Sequence, residues 1–186
     1  MKILITAFGS FPGVEVNPSE LLLDQLKEKM RDGIHQYSFI LLPVEYDYCE
    51  RWIENLKEDY HLVIHLGVAS NSEINRVELR AKNFCGKTAD MKGEANFGRI
   101  SKSSLDDLYT ELSLEFLNET HSYPVSISED AGDYLCNFLY FKSLKKHPHK
   151  KVVFYHLANL DAICIDRQLE CFDWLVERLL KFNNIY

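Results

Sequence analysis

Basic charge is scarce in this sequence: 21 Lys and Arg face 28 Asp and Glu, a formal net charge of −7. Binding a nucleic-acid backbone needs a concentrated basic face. The one basic cluster, Lys145, Lys146, Lys150 and Lys151, is too short to supply it and reads as a solvated helix end and turn. Long apolar runs are missing as well. Nothing approaches the ~20 residues that span a bilayer, and MKILITAF passes into polar sequence without a signal-peptide pattern. No C-x-x-C pair is present, which argues against a zinc site, and no G-x-G-x-x-G marks a dinucleotide fold. The five cysteines, Cys49, Cys85, Cys136, Cys164 and Cys171, are odd in number and irregularly spaced. That pattern predicts reduced thiols in the cytoplasm rather than a disulfide framework. Internal repeats, low-complexity segments and Pro/Ser-rich linkers are likewise absent.

What is present is an ordinary globular composition, with 46% apolar and 26% charged residues over 186 positions. A chain of this length fits one domain, 1–186, that buries roughly 70% of its unfolded surface. Extended and helical patterns alternate along it. Lys2–Ala7, Ser38–Val44, His61–Leu66, Pro124–Ile127 and Val152–Leu157 read as strands, and Ile74–Ala81 as extended chain. Helices are expected after Asn17 or Ser19, either of which can cap, and over Tyr46–Leu56, Leu105–Leu117, Gly132–Lys146 and Ile165–Lys181. The polar stretch Phe8–Ser19 is a loop, and Phe84–Ser104, without clear periodicity, has the make-up of a lid. This alternation predicts an α/β fold, an open α/β/α sandwich around a mostly parallel twisted sheet. Sites in such folds lie at the carboxyl ends of the strands.

That rule ranks the reactive side chains. Cys136 follows a strand, a polar turn with Gly132 and the start of a helix. Free N–H groups and the positive dipole end at a helix start stabilise a thiolate and a developing oxyanion. His156 ends the strand VVFYHL and is placed to move the thiol proton. His65, in HLVIHLG, holds an equivalent position, and spacing alone does not separate the two histidines. Glu78, in INRVELRAKN, offers a carboxylate to orient an imidazole. Each of these has a plain structural reading: a buried thiol, a hydrogen-bonded packing histidine, a solvated glutamate. Phe8 and Phe11 flank a Gly-containing turn after the first strand, where two rings either sandwich a small flat ligand or pin the loop to the core.

Four segments in order carry a resemblance. ILITAFGSFPGVEVNPSE, HLVIHLGVAS, RVELRAKN and VSISEDAGDYLCNFLYFKSL, with LPVEYD and VVFYHLANL between and after them, resemble the pyroglutamyl peptidase I (pyrrolidone-carboxylate peptidase) family over nearly the whole chain. The resemblance implies a cysteine omega-peptidase that hydrolyses the bond after an N-terminal pyroglutamyl residue. It implies Cys136 as nucleophile, His156 rather than His65 as base and acid, and Glu78 as orienting carboxylate. It places the lactam ring between Phe8 and Phe11, with backbone of Val68, Ala69 and Ser70 bonding it, and calls for no metal or organic cofactor. Relatives of this kind are monomers or homo-oligomers such as tetramers, and both remain open.

The chain also departs from the family pattern. Ser10 and Pro12 replace the loop proline and glycine, and Leu157-Ala158-Asn159 stand where prolines are usual. The segment Phe84–Arg99 lacks the arginine that approaches the bacterial site, with Lys87 as a candidate substitute. These departures keep two alternatives in view: a non-catalytic relative that binds through the pocket, and a cysteine amidohydrolase acting on another small amide.

Overall fold

The computed structural model describes residues 1–11, 16–30, 35–57, 59–103, 106–147 and 151–185. Pro12, Gly13, Ser104, Leu105 and Lys150, which carried expectations above, lie outside them. Eight strands and four α-helices follow in the order β1 (Lys2–Phe8), α1 (Pro18–Lys29), β2 (Gln36–Leu42), α2 (Tyr46–Asn55), β3 (Leu62–Val68), β4 (Asn75–Glu78), β5 (Arg80–Ala81), β6 (Leu108–Tyr109), β7 (Val125–Ser128), α3 (Leu135–Lys146), β8 (Lys151–Leu157) and α4 (Ile165–Phe182).

Six strands form one sheet in the order β2-β1-β3-β8-β4-β7. β2, β1, β3 and β8 are mutually parallel, whereas β4 runs antiparallel to β8, with β7 parallel to β4. The sheet is therefore mostly parallel, with a reversed pair at one edge. Strand alternation sends successive side chains to opposite faces. Ile3, Ile5, Ile64, Leu66, Val77, Val153 and Tyr155 pack with α1 and α4 in one core. Leu4, Phe8, Val63, Val152 and Phe154 pack with α2 and α3 in the other. The central strands are buried on both faces, which explains their nearly unbroken apolar sequence.

Asn17 is the cap of α1: its Oδ1 accepts from Ser19 N at 3.0 Å and Pro18 takes the first helical position. Two expected elements differ. α3 starts at Leu135 rather than Gly132, because Gly132 holds φ +81° and closes a turn. Within the expected helix over Leu105–Leu117 the described residues form the short strand β6 and irregular chain, then a 3-10 turn over Glu115–Asn118. Leu112, Leu114 and Phe116 alternate into the core shared with α4. The backbone there is satisfied from outside: Thr110 Oγ1 donates to Val152 O at 2.6 Å, and Asn183 bonds both Ser113 N (2.7 Å) and Ser113 O (3.2 Å). Tertiary hydrogen bonds replace the helical ladder, so period two wins over helix propensity.

Candidate active site

The α3 face of the sheet gathers the reactive groups at the carboxyl ends of the parallel strands. Phe8 ends β1, Gly67 lies near the end of β3, and His156 pairs with Gly67 across β3 and β8. Cys136 sits in the first turn of α3, whose opening N–H groups have no intrahelical acceptors. Its Sγ packs on Gly67 so closely that a Cβ there would meet it at 2.9 Å. The thiol is also within hydrogen-bonding reach of the His156 imidazole.

Glu78 reaches the histidine from within the sheet, not from its edge. Because β4 runs antiparallel to β8, Glu78 pairs with Phe154, and its side chain shares the face of His156 two residues on. His156 Nδ1 donates to Glu78 Oε1 at 2.7 Å, and both side chains are buried. This orients Nε2 toward Cys136. Burial alone would lower the imidazole's pKa, but the hydrogen bonds and charges of Cys136 and Glu78 prevail and raise it from 6.5 to about 9. His156 therefore holds its proton at neutral pH.

His65 is different in kind. It is fully buried, Nδ1 shares a hydrogen bond with Thr6 Oγ1 at 2.8 Å, and burial, with His147 adding to it, lowers its pKa to about 3. It is a neutral packing residue. The thiols divide as clearly. Burial pushes Cys49 and Cys85 up to about 12 and raises Cys171 too, so these stay protonated at neutral pH. Cys164 is exposed at the start of α4, and Cys136 alone of the five adjoins an imidazole–carboxylate pair.

A cavity of about 390 Å³ opens beside Cys136 and His156. Phe8, Phe11, Val68, Ala69 and Ser70, all expected from the sequence, line it. Val44, Ala131, Tyr134 and Leu135 add to its apolar wall, and Arg76 adds a charge that the sequence reading did not single out. The signal for Arg76 was there: in a strand NRVE, Arg76 shares a face with Glu78.

The departures find local explanations. Asn159, in the segment after His156 where prolines are usual, donates through Nδ2 to Ser70 O and fastens the turn after β3. Lys87 Nζ stands over the Phe97 ring at 5.2 Å and is not among the cavity-lining residues. The stretch 84–103 is tied down along its length. Asn137 Oδ1 accepts from Lys82 N at 2.7 Å, and its Nδ2 donates to Lys82 O and Phe84 O, both at 2.9 Å. Gly86 N donates to Asp133 O at 2.7 Å, Tyr134 OH to Ala89 O at 3.1 Å, and Tyr46 N to Asp90 Oδ2 at 2.9 Å. It is a wrap over α3 and the start of α2, not the lid its composition suggested. Among the described residues no group of three His, Cys, Asp or Glu side chains is arranged to hold a metal ion, and no helix is long and apolar enough to cross a membrane.

Known proteins share this arrangement of chain and fold. A pyrrolidone-carboxylate peptidase of Lactobacillus acidophilus is 30% identical over 173 residues, covering 87% of this chain and 86% of the relative. The human pyroglutamyl-peptidase 1 is 31% identical over 182 residues, covering 85% and 79%. The crystal structure of pyrrolidone carboxyl peptidase from Fervidobacterium islandicum superposes with a TM-score of 0.88 at 25% identity, over 98% of this chain and 99% of that one. The family model for pyroglutamyl peptidase matches residues 1–177, and on that match this chain belongs to the pyroglutamyl peptidase family.

Proposed function

We propose that this protein is a cysteine omega-peptidase that releases the N-terminal pyroglutamyl residue of peptides, with Cys136, His156 and Glu78 as its catalytic machinery. The observation that carries this reading is the chain Glu78–His156–Cys136: a carboxylate oxygen 2.7 Å from Nδ1 of an imidazole whose other side faces a thiol at a helix start. The wall of Phe8 and Phe11 beside it suits a flat lactam ring. Val68, Ala69 and Ser70 line the same wall, and those backbone groups of this turn not already bonded to Leu157, Ser72 or Asn159 are offered to the lactam's N–H and C=O, which would discriminate against rings lacking them.

The steps follow from the geometry. Cys136 Sγ, its proton held on His156, attacks the carbonyl carbon after the ring as the sulfur anion. The N–H groups of the first turn of α3 hold the oxyanion. His156, protonated at neutral pH, gives its proton to the departing amine, and the tetrahedral adduct collapses to a thioester. The deprotonated imidazole then takes a proton from water, which attacks the thioester and frees the pyroglutamate. Glu78 keeps Nδ1 bonded throughout and stabilises the imidazolium.

The test is hydrolysis of pyroglutamyl-aminocoumarin. Wild type should release the fluorophore, and Cys136→Ala should lose at least about 10⁴-fold in kcat with Tm held within a few degrees. The same reporter with proline in place of the pyroglutamyl ring should not be cleaved. Cleavage of both rings alike would favour a general amidohydrolase, and no cleavage of either would favour a binding relative.

A further inference from the structure

The cavity has a polarity of its own. Along the α3 face, its wall follows the strand order β1, β3, β8, β4. Phe8 stands on β1, the Cys136 sulfur lies over Gly67 on β3, His156 stands on β8, and Arg76 on β4. Arg76 is the direct cross-strand partner of His156, and paired residues in an antiparallel ladder point to the same face. Arg76 therefore lines the cavity from the strand beyond the imidazole's, whose backbone lies about 4.8 Å further from the ring-binding wall.

The Arg76 side chain is half-buried and makes no hydrogen bond or ion pair with any described residue. The one carboxylate in the cavity lining, Asp130, is already engaged: Lys82 Nζ lies 2.6 Å from it and Gly132 N donates to it at 3.0 Å. A cation facing a cavity without a partner calls for an anion on the ligand. If the ring lies at Phe8 and Phe11 and His156 protonates the departing nitrogen, the residue after the scissile bond must extend over β8 toward β4. Its first available anion is its own α-carboxylate, two bonds beyond that nitrogen, when the substrate is a dipeptide.

We infer that Arg76 is a specificity-determining residue that binds the C-terminal carboxylate of pyroglutamyl dipeptides. This rests on the peptidase reading above. It makes the protein a finisher: it takes the shortest pyroglutamyl fragments, those that a peptidase trimming longer chains from the other end would leave. The planar guanidinium suits this role, since it can donate two parallel N–H bonds to one carboxylate.

The experiment compares kcat/KM for pyroglutamyl-alanine and its C-terminal amide, measured side by side at one pH with wild type, Arg76→Gln and Arg76→Lys. Wild type should favour the free acid by roughly tenfold or more, the worth of a charge-assisted bond. Arg76→Gln should bring the acid-to-amide ratio close to one, and Arg76→Lys should retain part of the preference. Reading a ratio at one pH cancels any influence of Arg76 on the His156 proton, because both substrates meet the same imidazole. Rising salt should lower the wild-type ratio, a check that does not depend on a variant folding. Equal rates for acid and amide in wild type, or a preference that survives Arg76→Gln, would overturn this inference and leave the peptidase standing. Failure of wild type to cleave either peptide would overturn both.

Discussion

Gly67 seats the Cys136 sulfur by having no side chain. A Cβ at this position would come within 2.9 Å of Cys136 Sγ and 2.8 Å of Phe154 Cζ, closer than such contacts occur. Its partner in the β3–β8 ladder is His156, so the sulfur, the glycine backbone and the imidazole form one packed unit. Gly67→Ala cannot be absorbed by the helix alone, since moving α3 outward draws the thiol from the imidazole. Near-attack geometry is sensitive to shifts of about 1 Å, at a cost of about a hundredfold in rate. The expected result is a fall in kcat/KM of about that size, with a stability loss of about 1–3 kcal/mol from overpacking against Phe154. Steady-state kinetics on the pyroglutamyl reporter and thermal melting measure the two effects separately. A variant with full activity would show that the sulfur does not work from the position it occupies here.

At the scale of elements, α3 joins the nucleophile to the 84–103 wrap. Asn137, next to Cys136 and fully buried, bonds Lys82 and Phe84 through three hydrogen bonds. Truncation to Ala would orphan those backbone groups, at about 1–3 kcal/mol for each one that water does not reach. Asn137→Ala should therefore lower stability by about 2–4 kcal/mol and open the 84–103 stretch to limited proteolysis before the rest of the chain. Equal protease resistance in the variant would show that the other ties suffice. None of this wrap was legible from its sequence, because its bonds run to residues far away along the chain and leave no period. The strands were legible for the opposite reason: Val152–Leu157 and Leu62–Leu66 are buried on both faces, and burial writes itself as an apolar run. Leu112, Leu114 and Phe116 were misread as helical because leucines also suit helices, and only Thr110 and Asn183 decide otherwise. Cys136, His156 and Glu78 were found through motif resemblance. Arg76 was legible as a face-mate of Glu78, but its place opposite His156 depends on the reversal of β4, a property of the sheet and not of the segment.

For the whole molecule, the buried Glu78–His156 pair ties stability to pH. His156 has its pKa raised from 6.5 to about 9 in the fold, with the bond to Glu78 among the causes that outweigh burial. A group with a raised folded pKa binds its proton more tightly in the native state. Its stabilisation is complete below the unfolded value near 6.5 and is lost as pH rises through about 9. A shift of this size corresponds to a few kcal/mol, at 1.36 kcal/mol for each pKa unit. Glu78→Gln removes one of the groups that raise the value, so the imidazole should lose its proton at lower pH. The stability gap between wild type and Glu78→Gln should then be largest at pH 6 and shrink toward pH 10. Urea melts at several pH values would measure it. The alkaline limb of kcat/KM should move to lower pH in the same variant, because the proposed mechanism has this imidazole protonate the leaving amine. A gap that stays constant from pH 6 to pH 10 would mean that Glu78 stabilises the fold without holding the histidine's proton, and its place behind the imidazole would then be one of packing alone.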